Sequence, residues 1–115
     1  MEELNIFNSN EKIVMGGYIL TFIHSPFCGT CKVARKMLET IEKTWDKAIF
    51  YELNATLHPE FMKQYQIESV PCLLITSGPR VVEKVYAFHS VPYMYKLVSQ
   101  YVNSAHYFPR NNERI

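Results

Sequence analysis

The sequence predicts an α/β domain, a mixed β-sheet with helices on both faces. Three observations carry this. "YILTFIH" (Tyr18–His24) is a near-continuous apolar run, rich in β-branched and aromatic residues, which suits a strand buried on both faces. "CGTCKVARKMLETIEKTW" follows it with helical spacing, so strand gives way to helix at Cys28. Further strand-like runs then alternate with helical ones, and the last two strands meet at Gly78–Pro79.

The elements are read in chain order. "NSNEKIVMGG" is a short helix, capped by Ser9 or Asn10 and stopped by Gly16–Gly17. The strand Tyr18–His24 comes next. In the long helix, Val33, Met37, Leu38, Ile41 and Trp45 recur at spacings of three and four, leaving Lys32, Arg35, Lys36, Glu39 and Glu42 mostly outside. "AIFYELNA" (Ala48–Ala55) is a second strand. "HPEFMKQYQI" is a short helix with Pro59 in its first turn, where a missing N–H costs little. "VPCLLITSG" (Val70–Gly78) and "RVVEKVYAF" (Arg80–Phe88) form an antiparallel hairpin. "SVPYMYKLVSQYVNSA" is a closing helix capped by Ser90, with Tyr93, Leu97, Tyr101 and Val98 sharing one face. The tail over residues 106–115 is polar after Pro109 and expected to be loose. The order is β-α-β-α-β-β-α, with the early strands parallel.

Bulk properties narrow the function. The chain has 115 residues, which suits one domain over 1–115 with its own core. Its net charge of +1 gives no electrostatic case for nucleic acid or an anionic membrane as partner. No apolar run approaches the roughly 20 residues that cross a bilayer. The N-terminal "MEELNIFNSNEK" lacks the basic and apolar regions of a secretion signal, so a cytoplasmic location is expected. Three cysteines are too few, and odd in number, for a disulfide framework. In a reducing compartment a Cys-x-x-Cys pair is more often catalytic or metal-binding than structural.

Cys28 and Cys31 make that pair. If the helix begins near Cys28, its unsatisfied N–H groups and its dipole favour a thiolate there. Cys31, about one turn in, lies beneath and shielded. Cys28 then attacks a substrate disulfide, and Cys31 resolves the mixed disulfide. Lys32 and Arg35 add positive charge, and Gly29 gives the turn room. Two other readings remain open. The pair is also half of a zinc site, with Cys72, His24, His58, His89 and His106 as scattered candidate ligands, or it is two inert thiols. The strand-then-helix setting favours redox chemistry.

"SPFCGTCK", with "VPCLLI" about forty residues later, resembles the thioredoxin family. The element order agrees from about Ile13 to Tyr101. The resemblance implies a thioredoxin fold, Cys28 as exposed nucleophile and Cys31 as resolving thiol. It also implies a cis bond at Val70–Pro71 beside the thiols, affordable because proline follows. The Val70 backbone is then free to pair with an extended substrate.

Four positions depart from the family pattern. Phe27 stands where thioredoxins usually have Trp, keeping an apolar docking residue but losing the indole donor. Thr30 replaces the proline between the cysteines and offers a hydrogen bond to the Cys28 sulfur. That bond favours the thiolate, so the potential is expected to move from the roughly −270 mV of thioredoxin toward the about −200 to −230 mV of glutaredoxins. The family's buried acid aligns with Phe22 and its lysine partner with Glu52. One carboxylate therefore remains, and Glu52 is the candidate proton acceptor for Cys31, with a pKa raised by burial. The alternatives are that it points outward or pairs with a surface lysine. A glycine of the substrate groove aligns with Ala87, and bulky Phe88 beside it is expected to narrow that groove.

Cys72 reads as a buried, inert thiol rather than a second redox group. His24 reads as a packing or surface residue rather than a catalytic one. His58 reads as a loop or cap residue. The sum is a cytoplasmic, monomeric thiol–disulfide oxidoreductase that reduces protein disulfides. The expected electron donor is a thioredoxin-reductase-type enzyme or a low-molecular-weight thiol, with no bound cofactor. The alternatives are removal of small thiols from modified proteins, or a non-catalytic redox sensor or interaction module.

Overall fold

A computed structural model describes residues 1–4 and 17–103. Strand β1 (Glu2–Glu3) is followed by β2 (Tyr18–His24), helix α1 (Gly29–Trp45), and β3 (Phe50–Asn54). A 3-10 turn (Ala55–Leu57), helix α2 (Pro59–Gln64), strands β4 (Cys72–Ser77) and β5 (Arg80–Val85), and helix α3 (Val91–Val102) complete the order. The sheet order is β1-β3-β2-β4-β5. The β1/β3 and β3/β2 pairs are parallel, and β2/β4 and β4/β5 are antiparallel. The expected thioredoxin architecture is present. Strand β1 was not expected. The helix expected over residues 8–17, with Ser9, Asn10 and Gly16 at its ends, and the tail over 106–115 lie almost wholly outside the described residues.

Strand β2 sits in the middle of the sheet and is flanked on both sides, which explains its continuous apolar run. Leu20 and Phe22 point to one face, where Cys31, Ala34, Leu38 and Ile41 of α1 pack with Met94, Val98 and Val102 of α3. Ile19 and Ile23 point to the other face and pack with Phe61 of α2, Leu53 and Leu74. Alternation along one strand thus feeds two cores.

Two helix faces differ from expectation. In α1, Val33 is 56% exposed and Ala34 is buried, so the buried stripe runs 31, 34, 38, 41. In α3 the fully inward residues are Met94, Val98 and Val102, and Tyr93 is exposed. Val98 lies inward as expected, and the stripe it shares with Met94 and Val102 is turned by one residue, about 100°, from Tyr93, Leu97 and Tyr101. Tyrosines fitted the periodicity, but their hydroxyls favour the rim.

Local chemistry fixes the joints. Ser90 caps α3 by accepting the Tyr93 N–H at 3.2 Å. Asp46 closes α1 in the left-handed region (φ 52°), its N–H donating to the carbonyls of Glu42 and Lys43. The Glu42 carboxylate accepts the N–H groups of Ile49 (2.8 Å) and Phe50 (3.0 Å), tying the end of α1 to the start of β3. Gly78, at φ 61°, makes the β4–β5 turn, a conformation in which glycine has no Cβ penalty. As a result, the end of β2, the start of α1 and the segment before β4 meet at one end of the sheet.

Candidate active site

Cys28 is the N-cap of α1. Its backbone is extended (φ −105°, ψ 108°), and its sulfur accepts the Cys31 N–H at 3.1 Å. That N–H is one of the donors a helix start leaves unsatisfied, so the sulfur occupies the place of a capping oxygen. The Thr30 hydroxyl donates to the same sulfur at 3.3 Å. Cys28 and Cys31 are joined as a disulfide, with Cα atoms 5.2 Å apart, inside the ordinary range for such a bridge. Cys31 is buried and Cys28 is partly exposed, so the two sulfurs differ in access. Among the described residues, no group of three or more His, Cys, Asp or Glu could hold a metal ion.

The Val70–Pro71 bond is cis, and the Val70 carbonyl oxygen lies 4.0 Å from the Cys28 sulfur. Phe27 is 96% exposed, a large aromatic left in solvent beside the dithiol. Gly29 and Thr30 are exposed next to it. A Cβ at Gly29 would meet nothing within 4 Å, so side-chain space does not require glycine there. Ala87 is exposed, but Phe88 is 6% exposed and packs edge-on against Phe22 at 6.2 Å. Phe88 therefore fills the core and does not narrow a surface groove, because Phe22 leaves an apolar surface for it to cover.

Glu52 lies opposite Phe22 in the β2/β3 register. Its Oε1 accepts a hydrogen bond from Arg35 Nη2 at 2.6 Å and lies 2.9 Å from His24 Nε2. It is half-buried and pairs with these two residues, neither of which is a surface lysine. Burial alone would raise its pKa. The hydrogen bond and charge of Arg35, helped by His24, overcome this and hold it below the usual value. The expected upward shift of Glu52 is thus corrected. Sequence reasoning placed Arg35 outside. Its position four residues after Cys31 puts it on the same side of α1, and that spacing was the available signal. The Arg35 guanidinium also lies 5.5 Å from the centre of the Phe22 ring.

Cys72 is fully buried, and burial pushes its thiol up to about 12. It is held on the face of the sheet packed by α2, whereas Cys31 belongs to the opposite core. His58 occupies the N-cap position of α2, and its side chain makes no capping bond.

A dithiol at a helix N-terminus, faced by a cis proline on a mixed sheet, defines a thiol–disulfide exchange protein. The comparisons agree. The family profile for thioredoxin matches residues 4–98. A thioredoxin-like protein, YusE of Bacillus subtilis (strain 168), is 48% identical over 86 residues, covering 75% of this chain and 81% of that one. A thioredoxin of Chlamydia caviae is 26% identical over 94 residues, covering 82% and 91%. Among solved structures, a mutant thioredoxin from Halobacterium salinarum NRC-1 superposes with a TM-score of 0.69 at 17% identity, covering 87% of each chain. The oxidised thioredoxin from Plasmodium falciparum superposes with a TM-score of 0.69 at 16% identity, covering 88% and 98%. The chain belongs to the thioredoxin family. With its Cys-x-x-Cys pair it is a thiol–disulfide oxidoreductase.

Proposed function

We propose that the protein reduces disulfides of other proteins in the cytoplasm, acting as a single-domain monomer. Cys28 is the attacking sulfur and Cys31 the resolving one. The observation that carries this is the Cys28 sulfur at the α1 N-cap, in reach of the Cys31 N–H and the Thr30 hydroxyl. Both donors favour a sulfur anion. Solvent-facing Phe27, with Gly29 and Thr30, offers a contact surface for the substrate chain, and the Val70 backbone beside Pro71 can align an extended segment.

In the first step the Cys28 thiolate attacks one sulfur of the substrate disulfide. The substrate's S–S bond breaks, and its other sulfur leaves as a thiolate that takes a proton from solvent. In the second step the Cys31 thiol loses its proton and its sulfur attacks Cys28. The Cys28–Cys31 bond forms, and the remaining substrate sulfur leaves as a thiolate. The substrate gains two electrons and the dithiol loses two. A thioredoxin-reductase-type enzyme or a low-molecular-weight thiol returns the protein to its reduced form.

Insulin reduction with and without a thioredoxin reductase tests this reading. Turnover with the reductase supports it. Turnover only with a small thiol transfers the role to removal of small thiols from proteins, and no turnover with either leaves a sensor. Cys31→Ser is expected to trap the mixed disulfide on Cys28, and trapping on another cysteine would overturn the assignment of roles.

A further inference from the structure

Strand β2 ends by delivering His24 to the same side of the sheet as Phe22. The imidazole stacks on that ring, with centroids 5.4 Å apart and planes 24° apart. Its Nε2 is 2.9 Å from Glu52 Oε1, and Arg35 Nη2 bonds the same oxygen at 2.6 Å. A carboxylate only accepts, so Nε2–H is the donor in the neutral ring and Nδ1 keeps its lone pair. His24 and Cys31 both line one cleft of about 220 Å³, together with Ser25, Pro26, Lys32 and Arg35. That is room for several waters, at roughly 30 Å³ each. Glu52 itself is poorly suited to receive a proton, because Arg35 lowers the basicity of its carboxylate.

We propose that His24 takes the proton from Cys31 in the resolving step, and that Glu52 and Arg35 position its imidazole. This rests on the Cys28/Cys31 exchange proposed above. The Cys31 proton passes to Nδ1, directly or through a water in the cleft. The new thiolate attacks Cys28, the bond from Cys28 to the substrate breaks, and its electron pair leaves on the substrate sulfur. That sulfur takes the proton back from the imidazolium through solvent, so His24 ends as it began.

The surroundings suit the role. Burial, then the Arg35 charge, lower the His24 pKa below its usual 6.5, against a smaller opposing pull from Glu52 and, more weakly, Glu3. The imidazole is therefore neutral and able to accept at neutral pH. The charged groups facing it are Glu52 on β3, Glu3 on β1, and Arg35 and Lys32 on α1.

The test uses the reduced full chain mixed with a symmetrical aromatic disulfide whose thiolate absorbs visible light. The first equivalent released reports attack by Cys28, and the second reports resolution by Cys31. For His24→Gln the ratio of second to first rate is expected to fall at least about tenfold, with loss of the pH inflection of the second phase. For Glu52→Gln, which keeps the imidazole, that inflection is expected to move to lower pH. A His24→Gln ratio within about twofold of the starting protein overturns the proposal. An unshifted inflection in Glu52→Gln also overturns it, and this arm decides the matter if His24→Gln does not fold. A missing first phase in the unaltered chain would instead defeat the Cys28 reading.

Discussion

The Cys28 sulfur accepts two hydrogen bonds, one from the main chain and one from Thr30. Thr30 is solvent-exposed, so its bond is worth the lower part of the range for a charge-assisted contact. In Thr30→Ala the Cys28 alkylation inflection is expected to rise by a few tenths to about one pH unit, with the potential falling by up to roughly 30 mV. An unchanged inflection would show that Thr30 contributes nothing. Glu52 and His24 set a second residue-scale expectation. Glu52 has its folded pKa below the usual 4.5, so its contribution is complete above the unfolded value and is lost as pH falls through the folded one. His24 has its folded pKa below 6.5, so the unfolded chain binds its proton first and stability drops as pH falls through about that value. Both groups weaken the fold on acidification. Denaturant midpoints measured across pH should fall in two windows, the upper one absent in His24→Gln and the lower one absent in Glu52→Gln. Acid profiles identical in all three proteins would contradict these shifts.

At the scale of elements, α1 carries both chemistry and packing. Its buried stripe of Cys31, Ala34, Leu38 and Ile41 puts the resolving sulfur on the same side as the packing residues. Leu38→Ala is expected to cost about 2–5 kcal/mol by denaturation, and Val33→Ala less than about 0.5 kcal/mol. A Val33→Ala cost as large as that of Leu38→Ala would restore the face first expected from sequence, which held both residues. That expectation counted Val33 and Met37 because they are large and apolar, and passed over Ala34 because alanine gives a weak signal. The α3 face failed for a related reason. Residues 93, 97 and 101 and residues 94, 98 and 102 have the same spacing, and tyrosine satisfies either side of such a helix. Strand and helix types were legible because Tyr18–His24 is a short, near-continuous apolar run rich in β-branched and aromatic residues and the cysteine-bearing segment has a helical period. Strand β1 was not, since Glu2–Glu3 carries no apolar pattern and exists through pairing with β3.

Across the whole molecule the sheet separates two cores, one carrying the dithiol and one carrying Cys72. The dithiol and Pro71 were readable because their signals are local. The Arg35–Glu52–His24 cluster was not, because it joins α1, β3 and β2 through a register that no short stretch encodes. Its consequence is that the pKa of a half-buried acid is held below its usual value, where the sequence pointed to one raised by burial. Cys72 offers a molecular-scale test. With the dithiol oxidised, Cys72 is the described free thiol, and it is fully buried. Its labelling by a thiol reagent should require opening of the whole fold and track global stability as denaturant is added. Fast labelling of the native protein would mean that the sheet opens locally.

Exchange through this site requires a sulfur anion held at the start of α1. The pH dependence of Cys28 alkylation in the reduced protein measures it. The expected inflection lies at least about one unit below the roughly 8.5 of an ordinary thiol, with Cys31 much slower. An inflection at or above that value, or equal reactivity of the two sulfurs, would contradict it.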